Sequence, residues 1–299
     1  MSNPEELRES ANTYMVQDRS NQEEMARLEV QDKMLTAGMG GVLPELDDPT
    51  SLKRILDVGC GTGGWLIETA RTYPTIERLV GADISSKMLT YAREQATAQQ
   101  LDGRVEFHTM DALRMLEFPP ASFDLINLRL ASSWIRTWEW TKMLFECQRV
   151  TRPGGIIRIT DTDLIESNSP ALTKIAKIFL ETYYRSGRFF VERNDGLTRE
   201  FVRLMTQHGI QDVQTRVCPL VYQGGTESGQ RFYDDMVLVF RVFLPFFQKW
   251  TRVPDDYQEI CEQAKHEMQQ PDFVATWRFL TVWGTRSEDA ERLLMRGLK

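Results

Sequence analysis

The chain has 299 residues, of which 41% are hydrophobic, and its formal net charge at pH 7 is −7. This length provides enough apolar side chains for one large core or for a core with an attached cap. The acidic balance argues against a nucleic-acid partner, because phosphate binding requires a concentrated basic surface. No stretch approaches the roughly 20 apolar residues of a membrane span. No signal peptide is recognisable either, so we expect a cytoplasmic protein without a membrane span.

Four cysteines occur in the chain, at Cys60, Cys147, Cys218 and Cys261. Their spacing suits neither a zinc site nor a disulfide framework. We therefore expect reduced thiols and no metal site. Cys60 lies in a glycine-rich turn, where a small side chain is expected to fill space rather than to act as a nucleophile.

Residues 1–50 predict a polar, helical N-terminal extension. The helical pattern ends at Gly38-Met39-Gly40-Gly41, and prolines mark a linker beyond it. Two interpretations of this extension stay open. It is either a solvated helix that packs on the core, or a lid over a ligand, with Tyr14 or Gln31 reaching into the site.

Strands and helices alternate from Leu52 onward. Apolar runs predict strands near residues 54–58, 78–83, 105–108, 123–128 and 156–160. The segments between them predict helices near residues 64–72, 86–100 and 133–150. Apolar strands that alternate with helices are typical of a parallel sheet covered on both faces. The ligands of such α/β sheets bind outside the carboxyl ends of the strands.

Two segments interrupt the second half of this pattern, and both are rich in aromatic residues. They predict helical cap insertions over residues 164–193 and 226–271. The core continues over residues 51–163, 194–225 and 272–299, with a helix near 197–205, a strand near 211–222 and a last strand from Phe273 to Trp283. The aromatic residues either enclose a largely apolar small molecule or pack the helices of the cap against one another.

The first strand and the first helix are joined by a turn of closely spaced glycines. Gly59, Gly61 and Gly64 fit the pattern G-x-G-x-x-G, which is typical of dinucleotide sites. The acid Asp83 follows at about the 20-residue spacing expected of a ribose-binding carboxylate. The same turn also fits D-x-G-x-G-x-G, from Asp57 through Gly63. The turn alone therefore leaves the choice of nucleotide open.

Three further features distinguish a dinucleotide site from a site for another nucleoside cofactor. An acid, Asp57, precedes the first glycine; a second acid, Asp111, ends the third strand; and Arg152-Pro153-Gly154-Gly155 precedes the fifth strand. Together these motifs resemble those of the class I S-adenosylmethionine-dependent methyltransferases that act on small molecules. The resemblance covers residues 52–163 well. It implies a Rossmann-like, doubly wound, mostly parallel seven-stranded α/β sheet with helical cap insertions.

The resemblance also implies roles for individual residues toward S-adenosylmethionine. The backbone of the glycine turn would approach the methionine part of the cofactor at Gly59, Cys60, Gly61 and Gly63. Asp57 would face the cofactor's ammonium group, and Asp83 would accept both ribose hydroxyls. The carboxylate of Asp111 would accept a hydrogen bond from the amino group of the adenine. The adenine ring would be flanked by Ile84, Met88, Met110 and Ala112.

The end of the fourth strand would form the floor near the transferred methyl group. Asn127, Leu128 and Arg129 lie there, although Arg129 can equally form a structural ion pair. The candidates for orienting or deprotonating the acceptor are Asp161, its neighbour Asp163 and Tyr14. Arg129 is a further catalytic candidate. The three histidines give no clear general base.

Other functions remain open at this point. The glycine turn permits an NAD(P)-dependent Rossmann oxidoreductase, and a binding module that retains the cofactor without turnover is also compatible. A peptide or RNA methyltransferase is a further alternative, although the acidic charge argues against RNA. The favoured interpretation is methyl transfer by in-line displacement to an O, N or C nucleophile of a small, largely apolar acceptor. The oligomeric state is not determined by the sequence, and a dimer is compatible with it.

Overall fold

A computed structural model of the chain describes residues 22–287. Strands β1 to β8 span Arg54–Val58, Arg78–Asp83, Val105–Thr109, Phe123–Arg129, Thr151–Thr162, Glu166–Ser167, Ile210–Gln223 and Val274–Arg286. Helices α1 to α9 span Gln22–Gly38, Gly64–Thr72, Ser86–Ala98, Trp140–Val150, Pro170–Arg185, Phe201–Gln207, Glu227–Val242, Leu244–Trp250 and Tyr257–Met268. Tyr14 and the rest of residues 1–21 lie outside the described part.

The strands form one sheet in the order β3-β2-β1-β4-β5-β8, with β7 and the short β6 also paired to β8. Strands β1 to β5 are parallel to one another. Strand β8 is antiparallel to both β5 and β7. This arrangement confirms the predicted α/β fold with a mostly parallel sheet. Strand β6, only two residues long, is an additional strand that the sequence did not predict.

Both faces of the sheet are buried because neighbouring residues of each strand point to opposite sides. Ile55 and Leu79 face the side covered by α2 and α3, and both are fully buried. Leu56 and Val80, one residue further on, face the side covered by α4 and α6. Each such side chain contributes roughly 1.5–3 kcal/mol by its burial. The parallel register of β1 and β2 therefore fixes both layers at once.

The two predicted insertions pack together rather than separately. Helices α5, α7, α8 and α9 form a single apolar cluster with α1 and with the inner face of β7 and β8. The rings of Phe179 and Phe247, one from each insertion, meet edge to face at 4.7 Å. Many of the aromatic residues thus pack the helices of the cap against one another. Some of them also line a cavity beneath the cap.

Several predicted boundaries differ from those observed. The helix expected over residues 133–150 begins only at Trp140, because a short 3-10 turn over Ala131–Ser133 ends in the non-helical backbone of Trp134. The helical segment near residues 226–270 is three helices. Pro245 lies in the first turn of the middle one, where it cannot continue the preceding helix. Within residues 22–287, no helix combines the length and apolar character needed to cross a bilayer.

Candidate active site

The glycine turn between β1 and α2 adopts a conformation that requires glycine at two positions. Gly59 has φ +74°, and a Cβ placed on it would lie 2.7 Å from the indole nitrogen of Trp134. Gly63, the N-cap of α2, has φ +73°, and a Cβ there would lie 2.7 Å from the ring of Phe107. Side chains are strained in this left-handed region. The backbone N–H of Gly59 donates to the carbonyl of Ala82 at 2.8 Å, which holds the turn against β2.

Asp57 is held by a buried network of side-chain hydrogen bonds that crosses three neighbouring strands. Its Oδ1 accepts from Asn127 Nδ2 at 2.7 Å, and Asn127 Oδ1 accepts from Arg158 Nη1 at 2.7 Å. Arg158 in turn forms a buried ion pair with Glu45 in the segment before β1. The chain forms because Asp57, Asn127 and Arg158 are register partners on β1, β4 and β5. Desolvation by burial raises the pKa of Asp57 to about 7, despite this hydrogen bond and the nearby charge of Arg129.

Asp83 and Asp111 lie at the carboxyl ends of β2 and β3, next to the glycine turn. Asp83 Oδ2 accepts from the backbone N–H of Gly61 at 3.0 Å, and its Oδ1 accepts from that of Ser85 at 2.8 Å. Asp111 Oδ1 accepts from the backbone N–H of Leu113 at 3.0 Å. Each carboxylate is thus oriented by backbone donors and keeps lone pairs for further donors.

One cavity runs from these carboxylates into the cap. The predicted cofactor residues in its lining are Asp57, Gly59, Cys60, Gly61, Asp83, Ile84, Met88, Met110, Asp111 and Ala112. Arg129 lines it as well. The far end of the cavity is largely apolar and is lined by residues of β8 and the cap, including Leu172, Ile175, Phe179, Tyr183, Met236, Phe240, Phe243 and Trp277.

Three predicted site residues lie behind the cavity wall, so the structure does not bring them into contact with a ligand in the cavity. Gly63 caps α2, and its α-carbon packs toward Phe107. Asn127 is fully buried between Asp57 and Arg158, so it positions Asp57. Asp161 is also fully buried.

The carboxylate of Asp161 is occupied by hydrogen bonds to its own surroundings. It accepts from the backbone N–H of Ser132 at 2.8 Å, from the hydroxyl of Ser132 at 2.7 Å and from the backbone N–H of Thr162 at 2.9 Å. Its pKa is raised to about 6 by burial. Asp161 therefore anchors the 3-10 turn after β4. Its neighbour Asp163, two residues further on, lies in the cavity lining.

Helix α1 covers the cavity and supplies residues that the sequence reading largely missed. Arg27, Leu28, Asp32 and Leu35 line the cavity together with Gln31, which was predicted as a lid residue. Their contribution was hidden because the apolar residues of α1 do not form a regular stripe, so its packed face was not readable. Helix α1 therefore lies against the cavity, and its role as a lid stays a prediction.

Helix α1 is attached to both sides of the cavity by charged residues. On the cap side, Arg27 pairs with Glu24 at 2.7 Å and with Asp235 of α7 at 3.5 Å, all three being buried. On the sheet side, Asp32 Oδ1 accepts from Arg129 Nη1 at 2.8 Å. Arg129 therefore forms a structural ion pair, which was one of its two predicted roles. Its side chain also lines the cavity.

The four cysteines are free in the structure. Burial raises the pKa of the Cys60 thiol well above its ordinary value, which disfavours the nucleophilic thiolate. Among residues 22–287, no group of three or more His, Cys, Asp or Glu side chains is arranged to hold a metal ion.

Comparison with known proteins identifies the class to which this architecture belongs. Residues 55–155 match the family described as a methyltransferase domain. With the fold and the glycine turn, this match supports the predicted resemblance of the segment to the class I S-adenosylmethionine-dependent methyltransferases. A solved structure of phosphoethanolamine N-methyltransferase 2 from Haemonchus contortus shares the fold, with a TM-score of 0.50 and 20% identity over 84% of this chain and 52% of that chain.

Two curated relatives are similar over the same region. Demethylmenaquinone methyltransferase of Deinococcus radiodurans is 41% identical over 105 residues, which cover 35% of this chain and 41% of the relative. The 27-O-demethylrifamycin SV methyltransferase of Amycolatopsis mediterranei is 33% identical over 145 residues, which cover 48% of this chain and 50% of the relative. This chain thus matches half or less of the length of either relative.

Proposed function

We propose that the protein transfers a methyl group from S-adenosylmethionine to an O, N or C nucleophile of a small, largely apolar molecule. The observation that carries the proposal is the single cavity, which joins three strand-end carboxylates to an apolar chamber in the cap. The carboxylate end suits a nucleoside with an amino-acid tail, and the apolar end suits an uncharged acceptor. The two curated relatives named above are methyltransferases of small molecules, which supports this acceptor class.

The proposed roles at the cofactor end follow from the donors and acceptors present. The carboxylate of Asp83 would accept hydrogen bonds from the ribose hydroxyls, while the N–H of Gly61 continues to orient that carboxylate. Asp111 would accept the adenine amino group, with Ile84 and Met88 beside the ring. Asp57 would face the ammonium group. Charge-assisted hydrogen bonds of this kind contribute about 1.5–3 kcal/mol each.

When bound, S-adenosylmethionine supplies a methyl group on a positively charged sulfur that leaves readily, so the protein's task is alignment and exclusion of water. Holding two reactants in line contributes up to about 7–11 kcal/mol. Helix α1 and the cap residues would exclude water from the chamber. Asp163 is half-buried, lines the cavity and has a pKa raised by burial. We propose its carboxylate as the general base that accepts a proton from the methyl acceptor.

The setting of this activity is part of the proposal. The free cysteines support a cytoplasmic location, and the net charge of −7 supports an acceptor other than nucleic acid. The division into an extension, a core and two cap insertions is proposed as the domain organisation, with the insertions acting as one cap. A dimer stays compatible with the sequence.

Isothermal titration calorimetry tests the proposal directly. We expect S-adenosylhomocysteine to bind and NAD⁺ to show no heat of binding. Labelled methyl transfer to a panel of hydroxylated ring compounds then tests turnover. Binding of NAD⁺ without binding of S-adenosylhomocysteine would show that the site belongs to an oxidoreductase instead.

A further inference from the structure

Tyr183, near the end of α5, lines the apolar part of the cavity. Its ring packs against Phe189 at 4.9 Å and against Phe179 at 5.9 Å, measured between ring centroids. Both neighbours also line the cavity. The phenol ring is therefore held on two sides by aromatic side chains.

The backbone of Tyr183 is also fixed. Its carbonyl oxygen accepts from the N–H of Arg188 at 2.8 Å and from the N–H of Phe189 at 3.2 Å, which closes the turn after α5. The hydroxyl of Ser186 donates to the same oxygen at 3.2 Å. A side chain on such a rigid base loses little additional freedom when it binds a ligand.

The hydroxyl of Tyr183 makes no hydrogen bond to any residue in the described range 22–287. Tyr183 is only partly buried and lines the cavity, so a ligand that displaces water there has to supply a partner for this hydroxyl. Burial raises the pKa of this phenol, and the charges that act on it are those of Asp161, Arg188 and Arg27. The hydroxyl therefore stays protonated at neutral pH and can act as a donor. A ligand in the chamber can supply the hydrogen-bond partner that the described residues do not.

We propose that the Tyr183 hydroxyl donates a hydrogen bond to an oxygen atom of the methyl acceptor and so positions it in the chamber. This proposal rests on the proposed function and narrows its substrate class. The acceptor is a largely apolar compound that carries a hydroxyl or carbonyl oxygen. A purely hydrocarbon surface would leave the Tyr183 hydroxyl without a partner, and a charged group would be desolvated by the aromatic wall.

Two probes of nearly equal shape test this role by binding alone. Equilibrium dialysis of 2-naphthol and of 2-methylnaphthalene, each with saturating S-adenosylhomocysteine, compares a ring with an oxygen and a ring without one. We expect the wild-type protein to prefer 2-naphthol by about 2- to 12-fold, as one hydrogen bond allows. Equal affinities for the two probes, or no binding of either, would overturn the proposal without any need for a variant.

The substitution Tyr183→Phe removes the hydroxyl and keeps the ring. We expect it to abolish the preference for 2-naphthol while the affinity for 2-methylnaphthalene stays the same, a selective change that a merely structural role would not produce. The matched control is Tyr222→Phe, since Tyr222 is a buried tyrosine stacked on Phe232 outside the cavity lining. The control should retain the preference. A preference that survives Tyr183→Phe would exclude Tyr183 as the donor.

The test separates this inference from the proposed function. The affinity for S-adenosylhomocysteine is measured independently on each protein, and it should be unchanged by Tyr183→Phe. If S-adenosylhomocysteine does not bind the wild-type protein, the proposed function fails. The two naphthalene probes are then compared on the protein alone, and their relative affinities still decide the role of Tyr183.

Discussion

The carboxylate of Asp32 in α1 lies 2.8 Å from the guanidinium of Arg129 at the end of β4, and both residues line the cavity. This ion pair joins the N-terminal helix to the sheet across 97 residues of sequence. Asp32 also lies directly beside Gly64, the first residue of α2, where any larger side chain would collide with it. The position of the cover therefore depends on the same turn that forms the cofactor end of the site.

Loss of this ion pair should loosen α1. We expect Asp32→Asn to lower the free energy of unfolding by about 0.5–1 kcal/mol, because the pair is only partly exposed. We also expect faster hydrogen exchange in α1. Urea unfolding and exchange mass spectrometry measure the two effects. Lys33→Gln, which breaks the exposed pair with Glu29 in the same helix, is the control and should change neither quantity measurably. Equal effects of the two variants would contradict a special role for Asp32.

Asp83 should dominate the affinity for the nucleoside. We expect Asp83→Ala to weaken binding of S-adenosylhomocysteine at least tenfold, since about 1.4 kcal/mol corresponds to that factor. Asp83→Asn keeps an oxygen for the N–H of Gly61 and should give a smaller loss. Calorimetry provides the dissociation constants, and the exposed Asp102→Ala serves as the control. An unchanged constant for Asp83→Ala would place the ribose elsewhere.

Binding of the amino-acid tail should depend on pH through Asp57. The pKa of Asp57 is about 7 in the structure as described, so the carboxylate is increasingly protonated below that pH. A ligand ammonium favours the charged carboxylate, and binding must therefore weaken as the pH falls below about 7, by up to tenfold per pH unit. Calorimetry from pH 5.5 to 8 measures this slope.

The comparison ligand for Asp57 is 5′-methylthioadenosine, which lacks the amino-acid tail. Its affinity should vary little over the same pH range. In Asp57→Asn the affinity for S-adenosylhomocysteine should lose its slope as well. A slope shared by both ligands would assign the titration to a group other than Asp57.

The left-handed turn at Gly63 should be intolerant of side chains. We expect Gly63→Ala to lower the free energy of unfolding by more than about 1–2 kcal/mol, which is the penalty for that conformation alone. The contact with the ring of Phe107 adds to this loss. Gly103→Ala is the control, because no heavy atom lies within 4 Å of its added Cβ. Similar unfolding curves for the two variants would show that the turn relaxes easily.

The strand-end carboxylates were predictable because their placement follows from local rules. An acid after an apolar strand lies at the carboxyl edge of a parallel sheet, and this holds for Asp57, Asp83 and Asp111. Asn127 also lies near the carboxyl end of a parallel strand, yet its side chain is buried behind the cavity lining. Its side chain is directed by its register partners Asp57 and Arg158, and the pairing of distant strands is not visible in a single sequence.

The residues that the sequence did not reveal depend on long-range packing. The pairing of Asp32 with Arg129 has no local signature, because it forms only when α1 reaches the end of β4. The late start of α4 follows from the 3-10 turn over Ala131–Ser133, which ends in the non-helical backbone of Trp134. The aromatic composition of the insertions indicated a cap, but which rings face the cavity is decided by how α5 and α7 meet.

The buried ion pair between Arg158 and Glu45 decides how short a working fragment can be. Residues 55–155 match the family, yet both partners lie beyond those limits. A polypeptide trimmed to the match would lack the guanidinium that orients Asn127. One trimmed only at its beginning would keep that charge buried without its counterion, a loss of about 3–5 kcal/mol. The smallest unit able to hold Asp57 in place must therefore start before Glu45 and extend past β5.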